Sequence, residues 1–427
     1  MTESTRREFL VQSSGAVGGL GVMLGGMSAM AIVPDTALAA AARRLAGPVN
    51  VALIGGGRQG RAIIGELQKM DSVKIAAVCD ADESRANGAA RRATGAASFT
   101  DHRAMLDSVK DLAAVIIATP THLHRAPAID CVGAGKHVYC EGPLAHSVED
   151  ALAIAKAARA GGKLFAVGHE GRSNPIYRLA RSFFRSDAVR DVVAIEAQQF
   201  QKTSWRFPAT GSLKDEEVNW RLDPKHSLGL AGEWGSHAID VACWFTEALP
   251  TSVRGHGAVR VHQDGRTIAD TIECELTFPG GYRMRYAASL GNSLGGRTET
   301  FRGSNAAIRL GWSHGWMFKE ADAPTQGWEV YANRQQFHKD EGITLIADAT
   351  KLAEQGKLKE GVGLPNPSLY YGLWDFITAV SENKPAAIGC DALAGARTAV
   401  ISIAAARAVA SGAEVAIDAA ALRELAS

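Results

Sequence analysis

Residues Val49-Asn50-Val51-Ala52-Leu53-Ile54 form a nearly unbroken apolar run that stops at three consecutive glycines. A run this short and this apolar reads as a strand buried on both faces, the kind a parallel sheet requires. The next six residues, Gly55-Gly56-Gly57-Arg58-Gln59-Gly60, fit G-x-G-x-x-G and open a helical stretch over 60–70. Strand, glycine turn and helix in that order leave few folds open. Further strands are expected at 74–79, 113–119, 137–140 and 163–168, alternating with helices at 83–94, 101–108, 125–135 and 147–160. This spacing predicts a doubly wound Rossmann sheet over residues 48–170.

The glycines have a chemical reading. They let the backbone turn tightly and approach a pyrophosphate, while the helix start offers free N–H groups and a positive dipole end. Gly55, Gly57, Arg58, Gln59 and Gly60 are therefore candidates for holding a dinucleotide. Asp80 ends the second strand 20 residues after Gly60, where a carboxylate accepts hydrogen bonds from the ribose hydroxyls. Asp82 adds a second negative charge that repels a 2′-phosphate, which favours NAD over NADP. Thr119, Pro120 and His124 follow the third expected strand, at the carboxyl edge where ligands bind in such sheets.

Beyond residue 170 the pattern changes. A helix is expected at 174–186, then partly alternating runs at 192–201, 252–261, 271–278 and 282–289, with shorter candidates at 306–312 and 328–332. These describe an α+β domain over 171–390 built on an open, mostly antiparallel sheet. Helices are expected at 348–355, 369–382 and 392–410, the last within a C-terminal helical segment, 391–427. The formal net charge of +1 leaves no electrostatic basis for nucleic-acid binding. No cysteine pair has metal-ligand spacing, so no metal is expected. The first 40 residues read as an export signal: Arg6-Arg7 precede a glycine-rich apolar stretch, and Thr36-Ala37-Leu38-Ala39-Ala40 offers small residues for cleavage. The pattern resembles a Tat signal, which implies the Tat machinery as a partner and a periplasmic or otherwise exported location.

The segment Ala134-Gly135-Lys136-His137-Val138-Tyr139-Cys140-Glu141-Gly142-Pro143-Leu144, with Thr119–His124, Gly168-His169, Asn174-Pro175 and Gly235-Ser236-His237, resembles the glucose–fructose oxidoreductase / inositol dehydrogenase / MocA family. The resemblance covers nearly the whole chain after the signal. It implies an NAD(P)-dependent dehydrogenase of sugars or cyclitols, a cofactor that some members keep bound, and a second-domain sheet that serves as a homo-oligomer interface. Glu141 and Pro143 are then expected to frame the nicotinamide. The family pattern there is Glu-Lys-Pro, whose lysine bonds the substrate hydroxyl; this chain has Gly142. The acid–base role is therefore expected to fall on His237, with Glu233 four residues earlier raising its pKa if both lie on one helical face, and Tyr177 is a further catalytic candidate. His169, Arg172, Asn174 and Asp240, with Trp205 and Arg206, are candidates for substrate binding. Three activities stay open: hydride transfer between a sugar carbon and a tightly held NAD, glycoside cleavage through transient C3 oxidation, and sugar binding without chemistry.

Overall fold

The structure, a computed structural model, describes residues 47–427 apart from 210–212, 328, 330, 331, 338, 348–362 and 427. The export signal, the helix expected at 348–355 and most of the strand expected at 328–332 lie outside the described residues.

The first domain runs β1 (Val49–Ile54), α1 (Arg58–Leu67), β2 (Val73–Cys79), α2 (Glu83–Arg92), β3 (Ala97–Phe99), α3 (His102–Ser108), β4 (Ala114–Ile117), α4 (Arg125–Gly133), β5 (His137–Glu141), α5 (Val148–Gly161) and β6 (Phe165–Gly168). The six strands are parallel in the order β3-β2-β1-β4-β5-β6. This is the doubly wound order, and it puts a crevice where the winding reverses, between β1 and β4. Helix ends follow their sequence signals. Asp82 accepts the Arg85 N–H at 2.8 Å to cap α2, and Ser147 accepts the Asp150 N–H to cap α5. Strand β3 was not expected from sequence; three partly exposed residues, Ala-Ser-Phe, carry no hydrophobic period.

The second domain starts with α6 (Pro175–Arg185) and β7 (Val192–Phe200). Short helices α7 (Asp215–Val218) and α8 (Gly229–Glu233) lead to α9 (Gly235–Thr246). Strands β8 (Ser252–Ala258), β9 (Thr271–Thr277), β10 (Arg283–Ser289), β11 (Arg297–Gly303), β12 (Ala306–Leu310), β13 (Gly315–Lys319), β14 (Arg334–Phe337) and β15 (Asp340–Thr344) follow. Then come α10 (Ser368–Glu382), α11 (Ala392–Ser411), β16 (Val415–Ala416) and α12 (Ala419–Ala426). The sheet has ten strands in the order β14-β15-β13-β12-β11-β7-β10-β9-β8-β16, antiparallel except where β7 meets β10. Strands β11 and β13–β15 escaped the sequence reading. In β11, Arg-Thr-Glu-Thr puts a charged residue, Glu299, on the inward face, which hides the alternation.

The two late helices tie the domains together. Helix α10 packs Leu373, Phe376 and Ile377 against Val51, Leu53 and Ile116 of the first sheet. Each fully buried side chain of this size contributes roughly 1.5–3 kcal/mol. Helix α11 joins the other core, where Ala396, Val400 and Ile401 pack with Val167, Ile154 and Val253. It is apolar enough to span a bilayer, but 67% of that stretch is buried inside the protein, as a core helix requires.

Candidate active site

At the end of β1 the chain turns through Gly55, whose φ of +104° belongs to the left-handed region, and enters α1 at Gly57. A Cβ on Gly60 would stand 1.9 Å from the Gly55 carbonyl oxygen, so Gly60 exists for close packing of turn against helix. Gly57 is different. A Cβ there would meet nothing within 4 Å. No side chain caps the start of α1 and no acidic residue sits in its first turn. Open space, uncapped N–H groups and a dipole end together fit a pyrophosphate. Asp80 accepts the Gly56 N–H at 2.7 Å and the Asp82 N–H at 3.0 Å, which fixes its carboxylate beside the loop. The residues present therefore suit a dinucleotide.

Gln59 donates to the Glu141 carboxylate at 3.2 Å and ties the glycine loop to the end of β5. Glu141 is buried, and burial together with the nearby Glu170 charge pushes its pKa up. Burial raises Glu170 as well, with Arg297 opposing. The peptide bond between Gly142 and Pro143 is cis. Thr119 follows β4 beside the glycine turn, and its buried hydroxyl has no protein partner among the described residues.

Beyond Gly142 stand two imidazoles. His169 is 2% exposed and its ring meets that of His237 edge-on at 5.4 Å. His169 Nε2 and His237 Nδ1 are both buried without a partner. Burial lowers both pKa values. For His237, Arg297 and His169 push further in that direction. For His169, Asp240 pushes back while Arg172 and Arg297 do not. Both rings are neutral near pH 7, and each holds a buried nitrogen with no protein partner among the described residues. Arg297 from β11 lies over the Trp312 ring at 3.2 Å, with a buried Nη2 that also has no partner. Neither Arg297 nor Trp312 was singled out from sequence. The available signal was a charged residue straight after the Gly295-Gly296 turn, entering a strand.

The structure gives several of the expected site residues partners within the protein. Glu233 does not reach His237. Trp234, itself in the αR region, interrupts the helix between α8 and α9, and Glu233 is not among the groups that shift His237. Glu233 instead accepts from the Thr121 hydroxyl at 3.1 Å, and burial raises its own pKa. The expected rise in the His237 pKa is thus reversed. Tyr177 is fully buried and gives its hydroxyl to Glu299, which also accepts the Trp312 indole N–H. Asn174 caps α6 and donates to the Trp312 carbonyl at 2.6 Å and Ser368 at 2.8 Å, so its amide is occupied. His124 is 1% exposed and bridges the Thr119 and Leu144 carbonyls, bracing two loops rather than facing a ligand. Trp205 turns its ring onto Trp234, and Arg206 pairs with Asp264 and Asp215. Arg172 and Asp240 make a bidentate pair, both bonds 2.8 Å, and Thr398 completes it. Burial alone would raise Asp240; the guanidinium outweighs it and holds the carboxyl below its ordinary range. Asp240, His169 and Cys390 bring donor atoms within 4.8 Å of one another, a spacing that a metal could bridge. Arg172 already takes both Asp240 oxygens and sets a positive charge against a cation there.

Part of the second domain crosses to the first. Phe207 lies under the Arg58 guanidinium at 4.0 Å, and His226 stacks on His122 at 4.4 Å. These contacts flank the crevice at the start of α1 and after β4.

A doubly wound parallel sheet with an open glycine turn at the start of α1 and a carboxylate at the end of β2 has the form of a dinucleotide-binding domain, here joined to a second domain on an open sheet. Residues 49–169 match the model of the "oxidoreductase family, NAD-binding Rossmann fold", and residues 177–309 match the "GFO/IDH/MocA C-terminal domain". Together these cover more than half of the chain, which belongs to the GFO/IDH/MocA oxidoreductase family. Among curated relatives, inositol 2-dehydrogenase 2 of Saccharopolyspora erythraea is 39% identical over 131 residues, 30% of this chain and 38% of that protein. Levoglucosan dehydrogenase of Pseudarthrobacter phenanthrenivorans is 30% identical over 203 residues, 45% of this chain and 50% of that protein. The chain thus matches half or less of either relative's length. A solved levoglucosan dehydrogenase in complex with NADH and levoglucosan superimposes with a TM-score of 0.68 at 22% identity, over 87% of this chain and 100% of that one. An oxidoreductase domain protein from Kribbella flavida does so with a TM-score of 0.68 at 21% identity, over 87% and 99%. These two likenesses establish the fold.

Proposed function

We propose that the protein oxidises a hydroxyl of a sugar or cyclitol, using NAD held at Gly55, Gly57, Gly60 and Asp80. The observation that carries this is the pair of neutral imidazoles, each with an unpartnered nitrogen, beyond the end of the strand that follows the dinucleotide crevice. When bound, the oxidised nicotinamide accepts a hydride from the hydroxyl-bearing carbon, so that C–H and O–H bonds break, a carbonyl forms and one proton is left. This chain's part is to orient the substrate and to take that proton on an imidazole nitrogen. Arg297, stacked on Trp312, has a buried Nη2 that can donate to a polyol hydroxyl. Asp80, with the charge of Asp82 nearby, favours NAD over NADP. The Phe207 and His226 contacts support a cofactor retained through the catalytic cycle, because they close over the crevice from the second domain. Arg6-Arg7 supports export through the Tat pathway, and the uncovered face of the ten-stranded sheet is the surface for a homo-oligomer.

Native mass spectrometry of the purified protein, followed by incubation with levoglucosan, inositol and aryl glycosides while NADH absorbance is monitored, tests the reading. Protein without NAD, or with no absorbance change on free sugars, would refute it. A second reading, NAD-dependent glycoside cleavage, is favoured by Gly142 and by Glu141 and Glu170, whose raised pKa values keep protons available for a leaving group. Release of an aryl alcohol without net NADH would select it. Sugar binding without chemistry is disfavoured by two unpartnered imidazoles beside the crevice.

A further inference from the structure

The ring of His169 stands where a side chain at position 142 would begin. A Cβ built on Gly142 would lie 3.0 Å from both Cδ2 and Nε2 of His169. Glycine at 142 and this ring position go together: a side chain at 142 requires the ring to give by a few tenths of an ångström. The ring is held from behind. Its Nδ1 lies 3.8 Å from Asp240 and 3.7 Å from the Cys390 sulfur, and its backbone N–H donates to the Val167 carbonyl at 2.7 Å. Its Nε2, on the Gly142 side, has no partner. A buried polar atom left unpaired costs free energy unless a ligand completes it.

We propose that His169 replaces the missing lysine as the catalytic group: Nε2 accepts the proton of the reacting substrate hydroxyl. The Cys390 sulfur holds Nδ1 at 3.7 Å, and the Asp240 charge, 3.8 Å from Nδ1, steadies the protonated ring. This rests on the dehydrogenase reading above. The hydroxyl O–H bond breaks and the proton goes to Nε2, then to solvent, while the hydride leaves the same carbon for the oxidised nicotinamide. The groups facing His169 are Asp240 and His237 from α9, Arg172 from the turn after β6, Arg297 from β11, Cys390 ahead of α11, and Glu141 behind Gly168. Only Asp240 among the nearest of these steadies an imidazolium; Arg172 and Arg297 oppose it, so the ring rests neutral and the proton is not retained. His237 has no carboxylate behind it, which suits it to orienting a second hydroxyl.

The test is an exchange of positions 142 and 169, read two ways. With NAD and either levoglucosan or inositol as probe, His169→Gln lowers kcat by roughly 10²–10⁴, removes the acid limb of its pH profile and leaves NADH affinity within about twofold. Gly142→Lys alone melts below wild type because the stem meets the ring. Gly142→Lys with His169→Ala melts higher than Gly142→Lys and regains about tenfold or more of the rate that His169→Ala loses. Unchanged rate and acid limb in His169→Gln would overturn the proposal. So would additive melting shifts for the two substitutions, or one equivalent of zinc that Cys390→Ser removes. If the wild type reduces NAD with neither probe, the dehydrogenase reading has failed on its own; coupled or additive melting still decides whether the ring fills the lysine's place.

Discussion

Gly57→Ala separates a glycine kept for a ligand from one kept for the fold. At Gly57 φ is −67° and ψ is −161°, a conformation that any residue adopts, and an added methyl meets no protein atom within 4 Å. Replacing glycine where the backbone tolerates it gains about 0.4–1 kcal/mol from the unfolded chain. Losing glycine at a helix N-cap costs a similar amount, about 0.5–1 kcal/mol. The net change in stability is thus within about 1 kcal/mol, a shift of a few degrees in Tm for a chain this long. The same methyl lies where a pyrophosphate would approach the N–H groups of α1. Losing a charge-assisted hydrogen bond there costs about 1.5–3 kcal/mol, or roughly a 10- to 150-fold rise in the Kd for NADH. Gly60→Ala must behave otherwise, because its methyl would stand 1.9 Å from a carbonyl oxygen and the turn itself must move. Thermal melts and NADH titration of both variants make the comparison. Wild-type NADH affinity in Gly57→Ala, or a loss of stability equal to that of Gly60→Ala, would refute the assignment of the open side of the turn to a ligand.

Asp80→Ser should weaken NADH about 10- to 150-fold and narrow its advantage over NADPH, as expected for one lost charged hydrogen bond of about 1.5–3 kcal/mol; unchanged affinity would mean the ribose lies elsewhere. Arg172→Leu leaves Asp240 charged and buried with its main partner gone, and should cost about 3–5 kcal/mol in denaturant unfolding; a loss below about 1 kcal/mol would show that the pair is not what holds α9 to the turn after β6. His169 must be neutral to accept a proton, and burial lowers its pKa. Turnover on the acid side should therefore hold down through the ordinary imidazole value of about 6.5 and fall only at lower pH; an acid limb centred at or above that value would contradict the burial seen here. Changing Arg6 and Arg7 to Lys should leave the protein in the cytoplasm, as fractionation would reveal; export of that variant at the normal level would remove the Tat assignment.

The first domain was legible because its chemistry and its periodicity agree. The apolar run of β1 needs two covered faces, and the glycines after it need a turn and a close approach, so a short stretch of sequence carries both fold and cofactor site. The catalytic end was less legible for a physical reason. Glu233 and His237 have the spacing of one helical face, but the carboxylate is taken by the Thr121 and Ser227 hydroxyls and the Leu228 N–H, partners that no local pattern announces. Asn174 and Arg172 looked like ligand groups because they are polar and lie at a domain junction. They are instead consumed by a helix cap and a buried ion pair, which only the packing of residues 138 and 68 positions away defines. The meeting of Gly142 with the His169 ring is likewise a contact between adjacent strands' ends. The sequence contains the absence of lysine but not what fills the space.

Helix α10 has a consequence for synthesis. It packs on β1, β5 and β6, yet it is encoded some two hundred residues after the last Rossmann strand. At about 5–20 residues per second, the ribosome needs roughly 10–40 s to make that stretch. Through that interval the core around Leu53 and Ile116 has Ile63, Ile64 and Leu67 of α1 but not yet Leu373, Phe376 and Ile377 of α10. The nascent chain depends on whatever shields it from self-association until nearly all of it has been made.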